Sequence, residues 1–420
     1  MPARLWNYVV LITVMVTTSG TLMPSFAQAK DPMPTFELDR IIELALERNP
    51  AIATARSVIE QNEGRQVQAG AYPNPMIGAQ TGTGAIRDPT NGDRITEYGM
   101  SLHQTVEWPG MRAARKDAAG AGLVSATVGL DEAKLNLIAE VKQSFYELLL
   151  AERTVDLLQQ NYETVQEVAR IVRARVRSGE GPQFESVKAE VEVLKAKQEL
   201  TKAKNAVRVK LVGLDTLTAG GLGPRYKVQG DFRLLRDRLD PEQMATRDVS
   251  QHPILKRRGK LVEQAELTVT KERQARVPNV TLFGAYAREI GREAVIGGVT
   301  VPTPFWYLQQ GHIATALGTQ RQEEAELVRA RNDLARAINQ HAREAETAQE
   351  QILVYEEGMI KQAQEALRIA QLSFRQGASS LLDVLDAQRV QRQITVDYNQ
   401  ARFELSLALT RFERAVGGPL

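Results

Sequence analysis

The chain has 420 residues, of which 25% are charged and only 5% aromatic, a balance that suits long, thin helical packing better than one large core. Its formal net charge of +2 gives no broad basic face, so nucleic acid is not expected as a partner. The absence of cysteine excludes disulfides, thiolate metal sites, a cysteine nucleophile and lipidation through an N-terminal cysteine.

Residues 1–29 have the pattern of a cleaved export signal. Arg4 supplies the positive start, residues 9–16 form an apolar centre, and residues 27–29 give a small-x-small cleavage site. The alternative is a membrane anchor, but the apolar run is shorter than the roughly 20 residues that a spanning helix needs. We therefore expect an exported protein.

Before the first long helix, the spacing of the apolar residues changes from a helical pattern to a strand-like one. Residues 36–49 place apolar side chains on one helical face, Pro50 interrupts that helix, and a second helix is predicted to about residue 71. Residues 75–84 and 95–106 are instead short and rich in Gly, Thr, Ile and Val, around a turn at 87–94. This stretch predicts a β-hairpin.

A long helix is predicted after Trp108. From residue 141 to 176 its apolar residues recur at the three-four spacing of a coiled-coil seam. About 65 residues at ~1.5 Å each give a rod of roughly 100 Å, around three times the thickness of a bilayer core, so the rod must stand in water. A return helix (184–211) and a linker (213–238) are predicted to follow.

The second half repeats this plan. It predicts a helix over 253–276, a strand pair over about 279–302, a long helix over 309–376 and a return helix over 380–415. The number of residues from Trp108 to Gly179 equals that from Trp306 to Gly377, so the repeat extends along a whole long helix. We expect a first repeat at 30–238, with its strand pair at about 75–106, and a second at 239–420.

Each helical hairpin has a short repeated motif at its tip, at 177–183 and at 375–381. The stretches RSGEGPQFESVKAE and RQGASSLLDVLDAQ match so that Gly179 aligns with Gly377 and Glu185 with Asp383. Such Gly, Ser and Pro residues end one helix and start another. A positive φ is expected at both glycines.

The predicted strands cannot close a sheet within one chain. No segment after the export signal is long and apolar enough to span a bilayer as a helix, so the strands would have to do so. Unpaired strand edges would each cost several kcal/mol in hydrocarbon. We therefore expect the strands to be shared between chains.

An exported chain with two repeats, a β-hairpin in each and long helical hairpins with Gly-centred tips resembles the TolC family of outer-membrane efflux channels. The resemblance covers nearly all of residues 36–416, and its most specific stretch is LDVLDA at 382–387. It implies a mainly α protein with a membrane β-barrel, in which a homotrimer forms a 12-stranded barrel and a periplasmic helical tunnel. The sequence around Gly179-Glu180-Gly181 is similar to the cobalt-zinc-cadmium branch of the family.

The resemblance also implies a location and partners. The location is the outer membrane of a Gram-negative bacterium, in contact with its lipid and extending into the periplasm. The partners are a periplasmic adaptor protein and an inner-membrane pump of the resistance-nodulation-division type. The tip residues Arg177, Gly179, Arg375 and Gly377 are then expected to contact the adaptor, although the arginines also suit helix C-termini through the helix dipole alone.

A periplasmic gate is assigned by the resemblance to Asp383, Asp386 and Glu185. Three chains around one axis would bring the aspartates together, which is expected to raise their apparent pKa and attract cations. Asp383 also fits a capping box in which it only serves the helix start. Phe374 and Ser379 occupy positions where well-known members have a Tyr and an Arg that tie hairpins shut, so a looser gate or different locks are expected.

Trp108 and Trp306 lie where predicted strands meet long helices. Amphipathic aromatic rings favour the membrane interface, which predicts an aromatic belt there. The alternative, equally weighted, is a buried aromatic in the joint between strands and helices.

These features predict a passive exit duct of a tripartite efflux system, with heavy-metal cations as a candidate cargo. No enzyme activity, cofactor or metal site is predicted, because no nucleophile–base set or phosphate loop occurs and the four histidines lack ligand spacing. The alternative is a periplasmic coiled-coil adaptor or scaffold without a pore. An adaptor would usually have one hairpin flanked by β-domain sequence, whereas this chain has two hairpins, each with a strand pair.

Overall fold

The computed structural model describes residues 33–87, 90–233, 239–289 and 292–419 of a mainly helical chain. The predicted export signal at 1–29 lies outside the described residues. Within the described ranges, no helix combines the length and the apolar character needed to cross a membrane.

The first repeat contains a strand pair between two sets of helices. Its elements are β1 (Thr35–Glu37), α1 (Leu38–Arg48), α2 (Pro50–Gly70), β2 (Met76–Arg87), β3 (Arg94–Val106), α3 (Pro109–Arg177), α4 (Gln183–Leu217) and β4 (Lys227–Gln229). The 69 residues of α3 span roughly 100 Å at ~1.5 Å each. The return helix α4 runs past its predicted end near 211, and the predicted linker holds the short strand β4.

The second repeat has the same order of long elements. They are α5 (Pro241–Ala245), α6 (Pro253–Gln274), β5 (Val280–Glu289), β6 (Arg292–Thr300), α7 (Gln310–Val354), α8 (Ile360–Arg375) and α9 (Leu381–Val416). As in the first repeat, a strand pair precedes a long helical arm, and α9 returns along that arm.

The prediction of one uninterrupted helix over 309–376 is wrong, because the helix is divided at 355–359. A π-helical turn, Tyr355–Met359, separates α7 from α8, and within it Gly358 has the non-helical angles φ 171° and ψ −22°. A π turn accommodates one extra residue in the helix. On α9, Tyr398 packs its ring 6.1 Å from that of Tyr355, and its hydroxyl donates to Glu356 at 2.7 Å.

The four long strands form one antiparallel sheet in the order β2-β3-β5-β6. Each repeat keeps its own hairpin, and the repeats join where Val106 pairs with Val280 and Tyr98 with Arg288. Strands β2 and β6 are therefore the edges of this sheet in the described chain.

A second, smaller sheet and a buried core connect the start of the chain to the end of the first repeat. Strand β1 pairs in parallel with β4, a pairing that the sequence analysis did not predict. Beside it, α1, α3 and α4 bury apolar side chains almost completely, among them Ile41, Val141, Phe145, Leu148 and Leu214.

A buried ion network attaches α9 to this core. Lys142 donates to one carboxylate oxygen of Glu413 at 2.7 Å, and Arg233 donates to the other at 2.6 Å. Burial alone would raise the pKa of Glu413, but the hydrogen bonds from the two cations outweigh burial, so its pKa lies below the ordinary value.

Equivalent helix caps join the helices of each repeat. In the first, Asn49 accepts from the N–H two residues later at 2.8 Å and donates to Leu217 O, at the end of α4, at 2.8 Å. In the second, His252 Nδ1 accepts from the N–H two residues later at 3.2 Å, and Nε2 lies 3.0 Å from Arg414 O in α9. Because Nδ1 accepts, the proton lies on Nε2, which donates to that carbonyl. Each cap thus connects the start of one helix to the end of the return helix.

Candidate functional site

Both hairpin tips contain a glycine with the expected positive φ. The angle is 82° at Gly179 and 74° at Gly377. At each tip the next N–H bonds to the carbonyl five residues back, at 2.9 Å after Gly179 and 2.8 Å after Gly377. This is the Schellman ending of a helix, in which a left-handed residue lets the last carbonyls find donors. The two tips therefore turn by the same backbone geometry.

The two tips are packed together by an apolar cluster within one chain. Its fully buried members come from α3, α4, α8 and α9, and include Val172, Ala189, Phe374 and Val384. The guanidinium of Arg175 lies 5.3 Å from the centre of the Phe374 ring. Phe374 is thus a core residue of the tips with a cation–π partner, and its ring cannot act as a hydrogen-bonding lock.

Asp383 caps the N-terminus of its own helix, α9. It forms the capping box of α9 with Ser380: its Oδ2 accepts from the backbone N–H and from the hydroxyl of Ser380, both at 2.8 Å. These bonds stabilise the charged carboxylate and hold the pKa of Asp383 below its ordinary value. Within the chain this direction is opposite to the rise predicted for a crowded carboxylate ring.

Asp386 is exposed and has a charged partner that the sequence analysis did not assign. Its Oδ1 accepts a hydrogen bond from Arg389, one turn further along α9. Both side chains are more than half exposed, so the pair leaves the carboxylate open to solvent while offsetting part of its charge.

Glu185 occupies the same position in α4 that Asp383 occupies in α9, three residues after the N-cap. The N-cap here is Pro182, which has neither a side-chain hydroxyl nor a backbone N–H, so a capping box cannot form. Glu185 is partly exposed in the first turn of the helix, and favours that end through the helix dipole.

The tip arginines are exposed at the ends of the descending helices. Arg177 and Arg375 lie in the last turns of α3 and α8, and neither forms an ion pair within the described part of the chain. Arg177 donates only to the carbonyl of Arg173, at 3.3 Å. Their side chains are therefore free to meet a partner. Ser379 is turned inward, and its hydroxyl donates to Ala370 O at 3.4 Å.

The two tryptophans lie in different surroundings. Trp108 is the N-cap of α3. Its Nε1 donates to Gln274 at 2.9 Å and its backbone N–H donates to Asn279 Oδ1 at 3.1 Å, so it helps to build the joint between sheet and helices. Trp306 is 92% exposed in the segment after β6, with its ring edge-on to Phe305. A membrane-interface role remains a prediction for both.

Sequence reasoning missed two polar contacts that tie the hairpins together just above the tips. Gln388 is only 5% exposed, and its amide donates to Asn161 Oδ1 on α3 at 2.9 Å. Arg392, one turn further on, pairs with Glu199 of α4 at 2.7 Å. The signal that could have revealed these contacts is the spacing of Gln388 and Arg392 at i and i+4, which places two polar side chains on one face of α9, the face that packs against α3 and α4.

Comparisons with known proteins agree with this architecture. The model of the family described as "Outer membrane efflux protein" matches residues 41–220. The chain is 24% identical over 404 residues to the cobalt-zinc-cadmium resistance protein CzcC of Cupriavidus metallidurans, covering 95% of this chain and 94% of that protein. It is 25% identical over 417 residues to the pyoverdine export outer membrane protein OpmQ of Pseudomonas putida, covering 91% and 86% of the two chains.

The fold is shared with the crystal structure of CusC, described in connection with transmembrane channel formation. The TM-score is 0.77 at 16% identity, over 91% of this chain and 92% of that one. The family match lies within the first repeat, and the relatives and the shared fold extend through the second.

The chain is similar to outer membrane efflux proteins, through the family match at residues 41–220 and through relatives that extend over most of its length. This confirms the resemblance to TolC-type channels that the tips and repeats predicted. Similarity to outer membrane efflux proteins favours the predicted channel over a periplasmic adaptor without a pore, and it agrees with the predicted outer-membrane location.

Proposed function

We propose that this outer membrane efflux protein works as a homotrimeric exit duct, which conducts substrates passively from the periplasm to the exterior. The observation that carries the proposal is a four-stranded sheet with two free edges, β2 and β6. Edge groups without partners are costly in hydrocarbon, and three copies paired edge to edge give 12 strands and no edge. The long helices, roughly 100 Å for α3, would then continue the duct through the periplasm.

The partners in this proposal are a periplasmic adaptor, which contacts the tips, and an inner-membrane pump. The support for the adaptor contact is that each tip is a Schellman turn with an exposed arginine beside it, Arg177 or Arg375, on a shared apolar cluster. No chemical step belongs to the proposal, because a duct needs only a path and a driving pump.

Heavy-metal cations are proposed as one cargo, since CzcC is matched over nearly the full length of both proteins. The described residues contain no group of three or more His, Asp or Glu placed to hold a metal ion. A duct does not need such a group, because tight binding would slow release. The match to a pyoverdine export protein makes an organic compound the second candidate cargo.

The test is fractionation of cells that express the chain, followed by gel migration with and without heating. We expect the mature protein in the outer membrane, as a trimer band that collapses to a monomer on boiling. A monomer in the soluble periplasmic fraction would contradict the proposal. Metal resistance restored by the gene together with its adaptor and pump would then test the cargo separately.

A further inference from the structure

A groove of about 700 Å³ lies where α6 begins and α9 ends, between α3 and α7. Its volume is in the range of small-molecule sites, roughly 300 to 1,000 Å³. The facing ends of α6 and α9 carry opposite helix-dipole charges, so the side chains set the charge of the groove. Six arginines and three carboxylates line it: Arg257, Arg258, Arg329, Arg336, Arg411, Arg414, Glu132, Glu326 and Asp333.

All three carboxylates in the groove are already paired with arginines from its walls. They are therefore not free to bind a cation, and they neutralise only part of the positive charge. The shortest pairs are Glu132 with Arg257 at 2.9 Å, Asp333 with Arg336 at 2.9 Å, and Glu326 with Arg329 at 3.6 Å.

Arg411 and Arg414 supply the positive charge that is left over. They lie one turn apart on α9, and neither forms an ion pair with any residue that the structure describes. Nearby, burial alone would raise the pKa of Glu344, but hydrogen bonds from His341 and Gln340, with the charge of Arg411, lower it. Glu344 accepts hydrogen bonds from His341 and Gln340, so it acts on Arg411 through its charge alone, without an ion pair between the two side chains.

We propose that this groove binds a small anion with at least two oxyanion groups, carboxylate or phosphate. Guanidinium groups recognise both through paired N–H donors. Two arginines three residues apart on a helix, a rise of ~4.5 Å along its axis, fit two such groups on one molecule better than a single charge. The site is built by one chain, so it does not depend on the duct or on trimer assembly.

The test is calorimetric binding of citrate and of pyrophosphate to the full-length protein in detergent, with acetate as the single-charge comparison. We expect citrate or pyrophosphate to bind at least tenfold more tightly than acetate, and the stronger of the two identifies the oxyanion class. The double variant Arg411→Gln/Arg414→Gln should lose at least tenfold in affinity. The control Arg170→Gln/Arg368→Gln removes two surface arginines that pair at i,i+3 elsewhere, and should stay within about twofold.

Several outcomes would overturn the proposal. They are equal binding of acetate and citrate, an unchanged affinity in the Arg411→Gln/Arg414→Gln variant, or binding of a polyaspartate peptide but of neither small anion. If that double variant does not fold, a salt titration of the unaltered protein decides. Affinity must fall as ionic strength rises from ~0.05 to ~0.5 M, since exposed charges are screened, and an affinity independent of salt rejects the site.

Discussion

His252 is a buried histidine whose two ring nitrogens both serve the helix junction. One nitrogen caps α6 and the other bonds the end of α9, as Asn49 does with its amide in the first repeat. We predict that His252→Ala lowers the free energy of unfolding by about 1–2 kcal/mol, because it removes the cap and leaves a carbonyl without its donor. His252→Asn should retain most of that stability. Thermal unfolding of the purified protein measures both, and an Asn variant as unstable as the Ala variant would contradict a capping role.

Glu413 gives the fold a dependence on pH. Its pKa is lowered in the folded chain, so its contribution to stability is present above the unfolded pKa, roughly 4.3, and is lost as pH falls through the folded value. We predict that Glu413→Gln destabilises the protein at pH 7, and that this cost shrinks as pH falls below the unfolded pKa and through the folded one, where the wild-type carboxylate also becomes protonated. Urea midpoints over a series of pH values from 7 downward test this. Glu365→Gln is the control, because its pair with Arg368 is exposed on the surface; a pH-independent cost for Glu413→Gln would reject the mechanism.

At the residue scale, the sequence indicates which residues begin and cap helices, but it does not indicate which distant groups their side chains bond. Each repeat has a polar residue followed by proline at this position, Asn49-Pro50 and His252-Pro253, but the carbonyls of Leu217 and Arg414 that these side chains bond lie 168 and 162 residues away. The capping box at Asp383 was predictable because both of its members lie within one turn. Contacts between residues that are distant in the chain produce no short-range sequence pattern, so they cannot be predicted in this way.

The tip glycines decide the geometry of a whole hairpin. Gly179 and Gly377 have positive φ with open space around them, so a β-branched side chain would meet backbone strain of roughly 1–3 kcal/mol and no clash. We predict that Gly179→Val or Gly377→Val lowers efflux-dependent resistance while trimer level in the outer membrane stays near normal. Gly213→Val is the matched control, since Gly213 is helical with equally open space. Loss of the trimer in the tip variants would show that these glycines serve folding instead.

At the element scale, periodicity predicted the long helices and the strand pairs, because their apolar patterns extend over many residues. It did not reveal the π turn at 355–359, since the three-four pattern continues on both sides of it. It also missed β1 and β4, which are three residues each, too short for any period to appear. Their parallel pairing joins segments nearly 200 residues apart, where only the fold brings them together.

At the scale of the assembled molecule, the acidic residues of the second tip are predicted to act unequally on cations. Asp383 is occupied by the capping box, whereas Asp386 is exposed and only partly offset by Arg389. In a trimer, three copies of Asp386 around one axis would attract multivalent cations at the periplasmic entrance. We therefore predict that Asp386→Asn weakens block by such cations in single-channel recordings more than Asp383→Asn does.

Arg389→Gln has the opposite effect on the charge near Asp386, because it removes a positive charge where Asp386→Asn removes a negative one. It removes the cation that offsets each Asp386 and leaves the carboxylate and the capping box intact, so block by multivalent cations should become stronger. Asp383→Asn should instead lower stability through the weakened capping box, with little effect on block. Arg368→Gln, which removes an exposed arginine from α8, controls for the loss of one positive charge per chain. If Arg389→Gln and Arg368→Gln alter block equally, general charge accounts for the effect and no ring forms at Asp386.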